Sequence, residues 1–190
     1  FTAEFYKALP EISESLADLF NHYFFNNGLD EKQLSGILTL FPKAKGNKEK
    51  LENWRPITLL DVEYKIYSGC LTERIKPVVE KIAPETQFGF RSGRGTEDVV
   101  MSLQVMIEEA KQKQKNIALA LLDFAKAFDS VEHLFILREL QSLGFPMIFC
   151  RAIETILTKA YSKIDIETEP SVYLERGLRQ GDPISPLLLS

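Results

Sequence analysis

The sequence predicts an α+β fold, and three observations carry that expectation. Ile117–Leu122 is an unbroken apolar run, apolar on both faces of a strand and therefore suited to the centre of a sheet. Residues 62–82 instead place apolar side chains at 62, 66, 67, 70, 71, 75, 78, 79 and 82, the period of an amphipathic helix. Along the chain, strand-like and helix-like stretches are mixed without the regular βαβ rhythm of a doubly wound sheet.

The start reads as two short helices, of which Glu11–Phe25 carries an apolar stripe at 12, 16, 19, 20, 23 and 24 and is stopped by Asn26-Asn-Gly28. Gly36–Phe41 and Pro56–Leu60 read as the two strands of a hairpin, joined by the polar, Lys-rich connector Lys43–Asn53. Asp61 is placed to cap the following helix, which Pro77 is expected to interrupt. Gln87–Gly95 is a Gly- and Arg-rich loop, and Thr96 reads as the N-cap of a helix reaching about Lys115. The strand Ile117–Phe124 comes next. Asp129 or Ser130 is expected to cap a helix to Leu143, and Gly144-Phe-Pro146 to turn into another that ends near Ala160. Lys163–Thr168 and Ser171–Arg176 alternate as a hairpin, and Pro183 suits the first turn of a last helix.

With 45% hydrophobic and 26% charged residues, the 190-residue chain has the composition of a globular protein able to bury a core. No apolar run approaches the roughly 18 residues a membrane span needs, so no membrane partner is expected. Cys70 and Cys150 stand far apart, without neighbours at metal-binding spacing, and read as free buried thiols of an intracellular protein. The net charge is −4, yet residues 43–95 hold eleven Lys and Arg against seven Asp and Glu. A basic segment on an acidic chain fits a localised phosphate contact, and a solvated surface hairpin would carry the same charges.

Asp123 closes the apolar strand, where a carboxylate costs desolvation energy unless a cation or donor offsets it. Together with the backbone carbonyl of Phe124 it offers Mg²⁺ two hard oxygens, the rest of the shell falling to substrate phosphates and water. An Asp that merely ends the strand would look alike by composition. Phe128 stands where an aromatic ring can press on a nucleotide sugar, and core packing is the plain alternative. Asp129 reads as a helix cap rather than a ligand. Gln180-Gly181 combines a two-way hydrogen-bonding side chain with a residue that lets a flat ligand approach the backbone. A simple turn before a helix would explain Gly181-Asp-Pro183 equally well. Arg55, Arg91 and the lysines at 43, 45, 48 and 50 are candidates for phosphate contacts. His22 and His133 stand singly and read as surface or satisfied structural residues.

Taken in order, Asn53–Leu60 with Tyr64-Lys-Ile66, Gln87–Arg94, Ala120–Asp129 and Arg176–Pro186 resemble four successive motifs of reverse transcriptases, the last two being the palm motifs A and B. Their spacing is similar to that in LINE-type (non-LTR) retrotransposons, and Thr2–Tyr6 is similar to the residues just after a Pro-Gly-Pro-Asp-Gly stretch in those elements. The resemblance implies a fingers region over 1–116 and a partial palm over 117–190, with the thumb absent. It implies RNA-directed DNA synthesis by two-metal nucleotidyl transfer, with Mg²⁺ (Mn²⁺ as the alternative), an RNA template, a DNA primer and deoxynucleoside triphosphates. Asp123 and the Phe124 carbonyl match the metal-binding positions, and Phe128 the sugar gate. Gln180 and Gly181 match the nucleotide-facing turn. Arg55 matches a triphosphate contact with Lys43 or Lys45 as its partner, and Arg91 a fingers-loop arginine. The Asp-Asp hairpin of motif C does not occur among the 190 residues, so the fragment alone is expected not to polymerise. A nuclear or cytoplasmic ribonucleoprotein is the expected setting. A group II intron-type maturase and a catalytically dead nucleic-acid-binding relic are the alternatives.

Overall fold

A computed structural model describes residues 1–26, 28–164 and 171–190. One four-stranded mixed sheet, in the order β2-β1-β3-β4, holds the ends of the chain together. Strands β1 (Ser35–Pro42) and β2 (Trp54–Leu60) form the expected hairpin, in a register that pairs Gly36 with Leu60 and Phe41 with Arg55. Strand β3 (Tyr161–Lys163) lies parallel to β1, and β4 (Ser171–Tyr173) lies antiparallel to β3. The expected second hairpin is therefore present in part, its strand from Asp165 to Thr168 lying outside the described residues.

Helices α1 (Ala3–Ala8), α2 (Ser13–Asn26) and α3 (Glu31–Leu34) precede the sheet. The long α4 (Val62–Ile82) follows β2, and its first turn is closed by the Asp61 carboxylate, which accepts from the Glu63 amide at 2.9 Å. It runs on through Pro77 instead of breaking there. Burial of Tyr64, Tyr67, Leu71 and Ile75, extended by the half-buried Val79, outweighs the roughly 3 kcal/mol that an interior proline costs. Helix α5 spans Thr96–Gln112, with Gly95 rather than Thr96 outside its first turn and the Asp98 carboxylate accepting from the Gly95 amide. Next come the single turn α6 (Ala127–Ser130), then α7 (His133–Ser142), α8 (Met147–Lys159) and the short α9 (Ser185–Leu189). The amides of Gly144 and Phe145 close α7 on the carbonyls of Gln141 and Leu140, which sends the chain straight into α8.

One core gathers Phe20 and Phe24 of α2, the buried face of α4, Ile136 and Leu140 of α7, and Phe149, Ile153 and Ile156 of α8. It thus draws on both sides of residue 116, as does the sheet. Cys150 lies in this core, and burial pushes its thiol up from the ordinary value; Cys70, on α4, is exposed, contrary to expectation.

Three further expectations are corrected. The run Ile117–Phe124 forms no strand, and Leu122 and Phe124 are 91% and 83% exposed. A strand apolar on both faces is held by neighbours on both edges and layers on both sides, and no described strand lies beside this one. The helix expected from Asp129 to Leu143 breaks at Val131-Glu132, with Glu132 rather than Asp129 preceding α7. Here the carbonyls of Phe128 and Val131 accept from Leu178 and Gly177 instead of from residues four further along. The last helix starts at Ser185, not Pro183, because the Asp182 carbonyl and carboxylate take up the amides of Ser185 and Ile184 in a preceding turn.

In the 190-residue chain, Ile153→Ala, at a side chain with no exposed surface, is expected to lower stability by about 2–5 kcal/mol. Leu122→Ser should stay within about 0.5 kcal/mol. Urea denaturation followed by circular dichroism compares them, and equal losses would contradict this division between core and exposed segment.

Candidate functional site

The loop 176–184 is irregular but densely anchored. Its anchor is an ion pair between Arg179 and Asp182, 3.3 Å apart, with side chains only 3% and 2% exposed. Two charges so deep are tolerated only when their remaining hydrogen-bonding capacity is used. Asp182 accepts from the hydroxyls of Tyr64 (2.5 Å) and Ser68, one turn apart on α4, and from the Ile184 amide. Arg179 donates to the Leu34 carbonyl at 3.1 Å, and its guanidinium lies 4.7 Å over the Tyr64 ring. Burial, reinforced by the Asp182 charge, pushes the Tyr64 hydroxyl well above its ordinary value, so it remains a donor. No buried side-chain nitrogen or oxygen lacks a partner among the described residues.

This anchor fixes the two residues between the charges. The Gln180 carbonyl accepts from the Thr58 amide at 2.8 Å, satisfying a donor on the outer edge of β2. Gly181 has φ +112°, and a Cβ there would come within 2.6 Å of the Thr58 carbonyl oxygen. Only glycine meets both demands. Ile57 also borders Gly181 and lies two residues from Arg55 on the same face of β2. Arg55 is exposed there, opposite Phe41 of β1.

The other end of the loop is tied to the turn after residue 126. The amides of Gly177 and Leu178 donate to the carbonyls of Val131 and Phe128, each at 2.7 Å. Gly177 has φ +87°, and a Cβ would meet the Phe128 oxygen at 2.8 Å. The ring of Phe128 packs half-buried against the core. Segments 54–60, 128–133 and 177–182, far apart in sequence, thus meet through backbone hydrogen bonds.

Phe128, Gln180, Gly181 and Arg55 are therefore brought to one region. Lys43 and Lys45 sit beyond Arg55 on the exposed connector, whose shape is set by hydrogen bonds from the Lys43 amide to the Asn53 carbonyl and from the Trp54 indole to the Lys48 carbonyl, both 2.8 Å. Arg91 lies elsewhere. Its guanidinium ties off the end of α4, pairing with the Glu80 carboxylate at 3.1 Å and donating to the carbonyls of Glu80 and Pro84. The hydrogen bond from the Ser92 amide, ahead of the Arg91 charge, holds Glu80 below its usual value. Asp123 and Phe124 are exposed on the irregular segment 117–124. Among the described residues no three His, Cys, Asp or Glu side chains gather as a metal site. As donors, one carboxylate and one adjacent carbonyl still suit a hard cation that draws its other ligands from phosphate and water.

Sequence reasoning singled out Gln180 and Gly181 but not Arg179, Asp182, Tyr64 and Ser68 as their supports. The signal was available: opposite charges flank the Gln-Gly pair three residues apart, a spacing that closes a turn.

Residues 42–190 match the family described as "Reverse transcriptase (RNA-dependent DNA polymerase)", and the chain belongs to it. Its curated relatives are proteins of non-LTR retrotransposons. The chain is 32% identical to the transposon TX1 uncharacterized 149 kDa protein of Xenopus laevis over 81% of its length and 12% of that protein. It is 29% identical to the Pol polyprotein of the type-1 element R2 of Nasonia vitripennis over 96% of its length and 18% of that protein. It is also 29% identical to the RNA-directed DNA polymerase from mobile element jockey of Drosophila funebris, over 79% of its length and 18% of that protein. The chain thus spans less than a fifth of these three relatives. They favour the retroelement reading over the maturase and the relic. Reverse transcriptases as a family use divalent metal ions, an RNA template and nucleotide substrates.

Asp182→Ala and Arg179→Met are each expected to cost about 3–5 kcal/mol, because each leaves one charge buried alone, while the double variant should recover part of that loss. A double-mutant cycle by urea denaturation measures this, and simple additivity would contradict the pairing.

Proposed function

We propose that the chain is the fingers (1–116) and partial palm (117–190) of an RNA-directed DNA polymerase from a non-LTR retroelement, acting on an RNA template, a DNA primer and deoxynucleoside triphosphates. The observation that carries this reading is the meeting of the Gln180-Gly181 turn with β2 and with the turn that bears Phe128. That arrangement suits a base pair laid against the glycine backbone, a sugar bounded by the Phe128 ring, and a triphosphate reaching towards Arg55, Lys43 and Lys45. Arg55 offers a planar pair of donors and the lysines offer point charges, so together they would balance the charge of the triphosphate. Arg91, committed to the end of α4, would contribute by shaping the 87–95 loop rather than by a free charge.

Asp123 and the Phe124 carbonyl are the residues that would hold Mg²⁺, or Mn²⁺ in its place, and the bound ion would supply Lewis-acid stabilisation of the phosphoryl charge. For that role the 117–124 segment would pair as a strand, which its apolar sequence favours. The 190 residues alone are not expected to extend a primer. We place the protein in a nuclear or cytoplasmic ribonucleoprotein; no helix among the described residues is long and apolar enough to cross a membrane.

In the full-length protein, Asp123→Asn is expected to lower primer extension by roughly a thousandfold, the equivalent of several kcal/mol of charge stabilisation. Affinity for the primer–template should change little. Turnover near that of the unmodified protein would exclude Asp123 as a metal ligand.

A further inference from the structure

His133 opens α7 and is 8% exposed, a buried imidazole that the proposed chemistry does not use. Its Nε2 lies 2.8 Å from the carbonyl oxygen of Gly177. Since a carbonyl only accepts, Nε2 must carry the proton and donate. The bond spans 44 residues and joins two others at the same place, from the Gly177 amide to Val131 and from the Leu178 amide to Phe128. Both sides of the Gly177 residue are therefore held by the segment that bears Phe128: its N–H by Val131 and its C=O by His133.

The geometry of the loop makes this attachment consequential. Its far end is fixed independently, by the Arg179–Asp182 pair to α4 and by the Gln180 carbonyl to β2. The Phe128 carbonyl accepts from the Leu178 amide, and the 2.8 Å clearance to a Cβ on Gly177 shows how closely the two backbones meet. Without the imidazole, the Gly177 carbonyl loses its donor and the 177–178 peptide can rotate, carrying the Phe128 backbone with it.

We propose that His133 is a positioning residue for sugar selection: by holding the Gly177 carbonyl it fixes Phe128 relative to the Gln180-Gly181 turn, and so sets the preference for deoxyribonucleoside over ribonucleoside triphosphates. This rests on the reading of Phe128 as the residue that bounds the sugar.

The test measures, in the full-length protein, the ratio of kcat/KM for a ribonucleoside and the matching deoxyribonucleoside triphosphate. That ratio is a property of the active molecules, so partial unfolding does not alter it. Phe128→Ala is expected to raise acceptance of the ribonucleotide. His133→Phe keeps the bulk without the donor and should raise it by about tenfold, the scale set by a buried carbonyl left without its partner. His133→Gln, which restores an N–H at similar reach, should return the ratio towards the original, and adding His133→Phe to Phe128→Ala should have no further effect. An unchanged ratio in His133→Phe, with Phe128→Ala shifted, overturns the role of His133 and leaves that of Phe128 standing. If Phe128→Ala itself leaves the ratio unchanged, the reading of Phe128 fails and the proposal with it. Should His133→Phe yield no active protein, His133→Asn decides: its shorter amide must displace Gly177, so an unchanged ratio overturns the proposal and a raised one supports it.

Discussion

The site depends on a buried charge pair that serves a loop rather than a reaction. Arg179 and Asp182 flank Gln180 and Gly181, and their hydrogen bonds among the described residues, beyond their own contact, reach α4, the end of α3 or the start of α9. A pair of this kind contributes little net stability, since desolvation offsets most of the attraction. What it contributes is a single conformation. The turn above it cannot rearrange without stranding a charge in the core, so Gly181 stays close against β2 at a φ that other residues resist.

The rest of the site is built outward from that constraint. The Gln180 carbonyl completes the edge of β2, which places the turn on the strand that presents Arg55. At the other end Gly177 and Leu178 take up the carbonyls of Phe128 and Val131, and the demand for those acceptors is what breaks the helix before α7. Segment 117–124, which leads into Phe128, carries no comparable ties to the described residues, and its carboxylate is exposed. The firmly tied part of the candidate site is thus the part that would face a nucleotide, and the part that would face a metal ion is exposed.

Much of the fold was legible in the sequence, because α2, α4, α7 and α8 bury periodic apolar faces and the β1–β2 hairpin has strand-like arms around a polar connector. Pro77 misled because a local cost is visible in sequence and the burial that outweighs it is not. The 117–124 run misled in the opposite direction: its pattern reports what the segment would bury, while a strand also needs a partner. Likewise Asp129 has the chemistry of a cap, yet the carbonyls around it are claimed by residues nearly 50 positions away. Of the candidate site, the sequence singles out Gln180-Gly181, Arg55 and Phe128, which the fold brings to one region. The Arg179–Asp182 spacing could also be read, but not the part of Tyr64 and Ser68, whose use as donors to Asp182 appears only once α4 and the loop are packed together. Arg91 has the look of a phosphate ligand in sequence, and its donors are spent on α4.

On these contacts the 177–182 loop is as firmly held as the core and carries β2 and the Phe128 turn with it. Amide hydrogen exchange of the 190-residue chain, resolved by residue, tests this most directly. The Thr58 amide points away from the β1–β2 ladder and those of Gly177 and Leu178 belong to no strand or helix, yet all three should exchange as slowly as those in the middle of α8 and far more slowly than those of Leu121 and Leu122. Exchange at those three positions as fast as in the 117–124 segment would mean that the loop opens on its own, and that the buried pair does not hold the site together.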